Sequence, residues 1–212
     1  STRKRTLFPY TTLFRSFTRG LLGSGEFSNA CKIENPKSLQ FQRSGAELMV
    51  TAEEPIKIEN ASLGIQLNVF LLQFKGSVDS SSYQILVNYI VRSSPDYTQQ
   101  STWERNRLKA YWGSLRHLFQ SLVANEVKQD GFILFDKGSP LNATKLVKEG
   151  KIPGYYNVAL DKETQVVFQM EPLVSGVKQE IESAQVSYLI PNGTIEVTRN
   201  GILFNSQSVS VR

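Results

Sequence analysis

From Leu63 to Val91 the chain alternates apolar and polar residues along two long arms, and this constrains the fold more than any other feature of the sequence. The first arm, LGIQLNVFLLQF, puts Leu63, Ile65, Leu67, Val69 and Leu71 on one face, with Phe70, Leu72 and Phe74 apolar on the other near its end. Successive strand side chains point to opposite faces of a sheet, so a period of two marks a strand, here one covered on both sides at one end. The second arm, SYQILVNYIV, repeats the design with Tyr83, Ile85, Val87, Tyr89 and Val91. The small, polar GSVDSSS between them suits a hairpin, so adjacent antiparallel strands are expected. Upstream, SLQFQRSGAELMVTA reads as two short strands about Ser44 and Gly45, Pro55 breaks the next connection, and IKIEN follows as a short strand.

At Ser101 the period changes. Ser101 and Glu104 have capping-box spacing, and Leu108, Tyr111, Trp112, Leu115, Phe119, Leu122 and Val123 recur at three- and four-residue steps as one apolar stripe. Gly131 is a natural stop, so one long amphipathic helix over about 102–129 is expected to lie across the sheet. Gly113 in mid-helix costs about 1 kcal/mol relative to Ala, a cost that close approach of a strand or of the neighbouring Trp would explain. FILF, TQVVFQM, AQVSYLI and TIEVTRNGILFN then resume strand character around a polar stretch with a helical turn near NATKLVKEG. Asn200-Gly201 between apolar arms signals a type I′ hairpin. The fold class expected is α+β: mainly antiparallel β-sheet with one long helix packed on it.

The first sixteen residues read differently. LFPYTTLFRS is spelled by the codons CTC TTT CCC TAC ACG ACG CTC TTC CGA TCT, the end of a common sequencing-library adapter, and STRKRT fits the adapter sequence ahead of it. Residues 1–16 are therefore expected to be translated adapter and disordered, with an α+β domain over 17–135 and a β-rich continuation over 136–212 that is cut at its end. The 24 Lys and Arg against 19 Asp and Glu give +5, but Arg3, Lys4, Arg5 and Arg15 lie in that segment; without them 20 face 19. A near-neutral chain has little electrostatic pull on nucleic acid, which is not expected as a partner. No apolar run approaches the length of a membrane-spanning helix, so membrane association is expected only through missing segments.

Chemistry-bearing residues are sparse. Cys31 and His117 are the only cysteine and histidine. An internal disulfide is thus excluded, a zinc site lacks ligands, and the pair reads as an inert buried thiol and a helix-surface imidazole rather than as a catalytic couple. GLLGSGEF lacks the Lys-Ser/Thr ending of a phosphate loop, and RGLLG reads as a loop. Glu53 and Glu54 are adjacent, so on a strand they diverge and do not form a paired-acid site. NAS, NAT and NGT match glycosylation acceptors. No cofactor is expected.

The best candidate for recognition is TWERNRLKAYWGS. Its basic residues cannot all fit the apolar stripe, and Trp103, Arg105, Asn106, Arg107, Tyr111 and Trp112 would offer stacking faces and bidentate donors to an anion or a sugar. The competing reading is structural: neighbouring acids neutralise the arginines, and Trp103 and Trp112 anchor the helix to the sheet.

Three ordered segments, GLLGSGEFSNACKIENPKSLQF, LMVTAEEPIKIENASLGIQLNVFLLQF and WERNRLKAYWGSLRHLFQSL followed by DGF, resemble the carboxypeptidase-like regulatory-domain proteins of Bacteroidota over roughly residues 17–132. The resemblance implies an exported chain of the periplasm, outer membrane or cell surface, whose β-sandwich domain would precede Phe17, and a packing role or unpaired thiol for Cys31. It implies no peptidase chemistry. The function expected is a non-catalytic structural or binding module for a glycan, peptide or envelope protein. The alternatives are an enzyme on envelope or dietary polymers, or an accessory of an outer-membrane uptake system. An enzyme should show converging acids or a nucleophile–base pair in a cleft; a binder should show exposed aromatics or a free sheet edge.

Overall fold

The structure is a computed structural model that describes residues 10–77, 81–169, 184–204 and 209–211. Among them it is α+β, with three antiparallel sheets and three α-helices, and strand outweighs helix at 42% against 26%. The chain divides between Leu108 and Lys109 into two compact units, each with its own apolar core.

The first unit is built on a six-stranded sheet: β1 (Cys31–Ile33), β2 (Leu39–Ser44), β3 (Glu47–Ala52), β4 (Ile56–Asn60), β5 (Ile65–Gly76) and β6 (Ser81–Val91). The path runs β1-β4-β5-β3-β2, and β6 pairs along β5 from Ile65↔Val91 to Gly76↔Ser81. All the strands read from the sequence in this part are present, and the two long arms form the expected antiparallel pair. A bulge at Leu72, between the pairs Leu71↔Ile85 and Gln73↔Gln84, lets β5 keep Val69 and Phe74 both in the core.

Helix α1 (Tyr10–Leu22) covers this sheet. Phe17 is fully buried and Leu21 nearly so, with Leu13 and Phe14 packed beside them, the three- and four-residue spacing of one helical face. Phe17 meets Phe41 and Phe74 edge-on at 6.0 and 4.9 Å between ring centres. Two expectations are corrected here. Residues 10–16 are not disordered but form the first turns of α1, because they continue the apolar stripe of Phe17 and Leu21. RGLL is not a loop but the last turn, closed by the Gly23 N–H donating to the Arg19 carbonyl at 2.9 Å. Residues 1–9 lie outside the described residues.

The single long helix of the sequence reading is two helices, α2 (Tyr97–Tyr111) and α3 (Leu115–Ala124). The start moves from Ser101 to Tyr97, because the Asp96 carboxylate accepts the Thr98 N–H at 2.8 Å, while Glu104 accepts from the Gln100 amide instead of closing a capping box. The break is Gly113, at φ 72°, followed by Ser114, which caps α3 by accepting the His117 N–H at 3.2 Å. A Cβ on Gly113 would strike Phe168 and Gln185, so the expected close approach of a strand is real, and it ends the helix instead of burdening its middle. α3 stops at Ala124 on a left-handed Asn125, six residues before Gly131.

The second unit has a five-stranded sheet, in the order β14 (Val209–Val211), β12 (Gln185–Pro191), β11 (Thr164–Phe168), β7 (Phe132–Asp136), β8 (Ser139–Pro140). A three-stranded sheet runs β13 (Ile195–Thr198), β10 (Tyr155–Val158), β9 (Val147–Glu149). Leu118, Phe119 and Leu122 of α3 join Phe132, Leu134, Val166, Leu189 and Val197 in one core. That packing moves the division from the expected residue 135 to residue 108: the lower half of the apolar stripe belongs with the strands that follow it. α2, by contrast, contains no fully buried residue. The chain turns back at Asn200-Gly201, but the expected second strand arm is reduced to the single bridge Val197↔Leu203, and the turn is not type I′, because only Gly201, at φ 71°, has positive φ. The Thr198 N–H to Ile202 carbonyl bond encloses a three-residue loop instead.

Candidate functional site

The six residues singled out at the helix start fall into separate environments. Trp103, Asn106 and Arg107 are spaced three and four apart, so they share one face of α2. That face grips the turn between β4 and β5: Trp103 Nε1 donates to the Ala61 carbonyl, Asn106 Nδ2 to Ser62 and Arg107 Nη1 to Leu63, each at 2.8 Å. Three consecutive carbonyls are thus satisfied by three consecutive contact positions of one helix. Asn60, buried at the head of the turn, accepts the Leu63 N–H at 3.0 Å and donates to the Phe27 carbonyl at 2.8 Å. The arrangement is a latch, and the donors that would meet a sugar or anion hold backbone instead. Arg105 is exposed on the helix.

In the second unit Tyr111 donates to Gln120 Oε1 at 2.8 Å and lies over the His117 ring, 4.8 Å between centres, while Trp112 is 42% exposed. Burial, reinforced by the charge of Asp130 and opposed by Arg116, raises the Tyr111 phenol above its ordinary value.

His117 is buried, not on the helix surface as expected. Its Nδ1 accepts the Gly113 N–H at 3.2 Å, so the neutral ring carries its proton on Nε2, which faces Asp130 Oδ2 at 3.7 Å. The hydroxyl of Ser121, fully buried, lies within hydrogen-bond distance of both the Asp130 carboxylate and the His117 carbonyl, its single proton shared between the two acceptors. Serine, histidine and aspartate therefore meet, but the hydroxyl bonds to the carboxylate and not to the imidazole. The imidazole is not placed to draw the hydroxyl proton, and the three residues brace α3 against the segment that leads to β7. The 117/121 spacing was visible in the sequence; the return of Asp130 was not. Burial lowers the His117 pKa, against the opposing pull of Asp130.

Cys31 accepts from Asn60 Nδ2 at 3.2 Å, and burial holds its thiol above the ordinary pKa, against the reactive direction. Glu53 and Glu54 are bonded to different partners, Gln40 and Asn35. Asn60 of the NAS site is buried. A cavity of about 250 Å³ in the second unit, beside Gly113, is lined by Leu115, Leu118, Phe132, Phe168 and their neighbours, with Ser114, Gln185 and Ser187 its polar groups. Among the described residues no three His, Cys, Asp or Glu side chains gather as a metal site, and no helix is long and apolar enough to cross a membrane.

The remaining feature is the free side of β6. Among the described residues this strand pairs only with β5, and its eleven residues carry no charge, no proline and no bulge, the irregularity of the pair lying in β5. On the face that continues the core-side row of β5, Val87, Tyr89 and Val91 are 46%, 59% and 51% exposed; on the opposite face Leu86 and Ile90 are 62% and 51% exposed. Phe70 and Leu72 of β5 extend the apolar surface. Sheet edges in proteins are ordinarily blunted by charges, prolines or bulges, and none of these devices is used here.

No family model, no curated protein and no solved structure matches this chain.

Proposed function

We propose that this chain is a non-catalytic interaction module of an exported bacterial cell-envelope protein, akin to the carboxypeptidase-like regulatory-domain proteins its motifs resemble, and that β6 is its working edge. The observation that carries this reading is the eleven-residue, uncharged, unbulged edge strand with exposed apolar side chains on both faces. Such an edge offers a ladder of backbone donors and acceptors to an extended segment and alternate side chains to select it. An uncharged edge favours a neutral strand, because a charged residue set against it would be desolvated without a partner. The polar cluster at the helix start supports the same reading by elimination, since its Trp, Asn and Arg donors are committed to the β4–β5 turn.

The test is amide hydrogen exchange on the whole chain with neutral, acidic and basic β-forming peptides. Neutral peptides are expected to slow exchange across Ser81–Val91 and the charged ones are not. β6 amides that exchange fast both without and with every peptide overturn the reading.

A further inference from the structure

We infer that the occupant of the β6 edge is a second copy of the same edge, paired antiparallel about a two-fold axis through Leu86; this rests on β6 being the working surface. A residue on one face of a sheet must lie opposite a residue on the same face, so a two-fold antiparallel register of β6 with itself places its axis on a residue. Leu86 is the midpoint of Ser81–Val91, and an axis there pairs all eleven residues.

That register is chemically self-consistent. Ile85 lies opposite Val87 of the second copy, Tyr83 opposite Tyr89, and Gln84 opposite Asn88, so the side chains of the central seven residues meet their own kind, while Ile90 and Val91 at the ends face the small Ser82 and Ser81. With no charge in the strand, no like-charge repulsion opposes the match. The two sheets would become one sheet of twelve strands, and the core-side apolar rows would run on across the axis.

Joining the edges would set partly exposed side chains of β6 against one another across the seam, Leu86 against Leu86, Val87 against Ile85 and Tyr89 against Tyr83, beside the newly paired backbone.

The experiment is sedimentation equilibrium of the full chain, together with mild oxidation of Leu86→Cys and Gln84→Cys in a Cys31→Ser background. Across the axis the two Leu86 Cα atoms would lie about 4.5–5.5 Å apart, within disulfide reach, whereas the two Gln84 Cα atoms would be offset by four residues, about 13 Å. A dimer that Val87→Lys weakens at least about 30-fold, with cross-linking at Leu86→Cys and not at Gln84→Cys, is expected. Val87 is half exposed, so the lysine is tolerated in the single copy, which an unchanged melting temperature of the Val87→Lys monomer checks. A monomer whose β6 amides are protected by neutral peptides overturns the self-pairing and leaves the reading of the edge intact. A monomer that no peptide protects overturns both. A dimer indifferent to Val87→Lys and not cross-linked through Leu86→Cys overturns the self-pairing.

Discussion

The indole of Trp103 lies directly over the Cα of Gly64, in the space that a Cβ there would occupy, while its Nε1 reaches across to the Ala61 carbonyl at 2.8 Å. Ring and turn fit because residue 64 has no side chain and sits at φ 59°.

Gly64→Ala is expected to destabilise the first unit by about 2–4 kcal/mol, combining left-handed strain with displacement of the indole. Gly45, at φ 60° with nothing near its Cβ position, is the control: Gly45→Ala should cost only the strain, about 1 kcal/mol. Urea denaturation of the two variants separates the terms, and equal losses would show that the Trp103 contact contributes nothing.

Arg107→Ala removes a charged donor from the half-buried Leu63 carbonyl and is expected to cost about 1.5–3 kcal/mol. Arg105→Ala, on the exposed side of the same helix, should stay within about 0.5 kcal/mol. If Arg105→Ala lowers binding of a ligand while Arg107→Ala leaves stability untouched, the helix start is a recognition site and not a latch.

Stability should depend on His117 with a definite sign. Its folded pKa is lowered below the ordinary 6.5 by burial, so the unfolded chain binds the proton more readily. Its contribution is fully present above pH 6.5 and declines as pH falls from there toward the folded value. Denaturant midpoints taken from pH 8 to pH 5 should therefore fall more steeply for the native chain than for His117→Gln. Parallel curves would mean that the imidazole titrates alike in both states.

Phe17→Ala should cost about 3–5 kcal/mol, because a fully buried ring between Phe41 and Phe74 is lost. Tyr10, half exposed at the start of α1, should cost less than about 1 kcal/mol when changed to Ala, despite its bond to the Pro36 carbonyl. Thermal denaturation of both variants checks this, and comparable losses would place the anchor of α1 in its first turn.

The strands were legible because a sheet residue's environment alternates with position, and alternation survives without knowing the partner. Val69, Ile56, Ile58 and Val50, all buried, lie on faces that the pattern marks as apolar. The helices were less legible. A stripe of period 3.6 passes through Gly113-Ser114 unbroken in sequence, and the break is forced by Phe168 and Gln185, which are about 55 and 70 residues away along the chain. The same distance effect hid the site residues: Trp103, Asn106 and Arg107 look like free donors until the turn at residues 61–64 is set against them.

By itself the sequence determined the α+β class, five of the six strands of the first unit, β2 to β6, and the antiparallel β5–β6 pair, because each depends on a local period or a local composition; that the uncharged β6 lies at the sheet's edge was decided by the topology. Tertiary structure alone decided that the helix divides at Gly113, that the stripe below it serves a second core, that α1 continues back to Tyr10, and that the helix-start donors face inward onto backbone. Each of those outcomes is a competition between local propensity and a contact made by residues distant in the chain, and only packing sets which of the two wins.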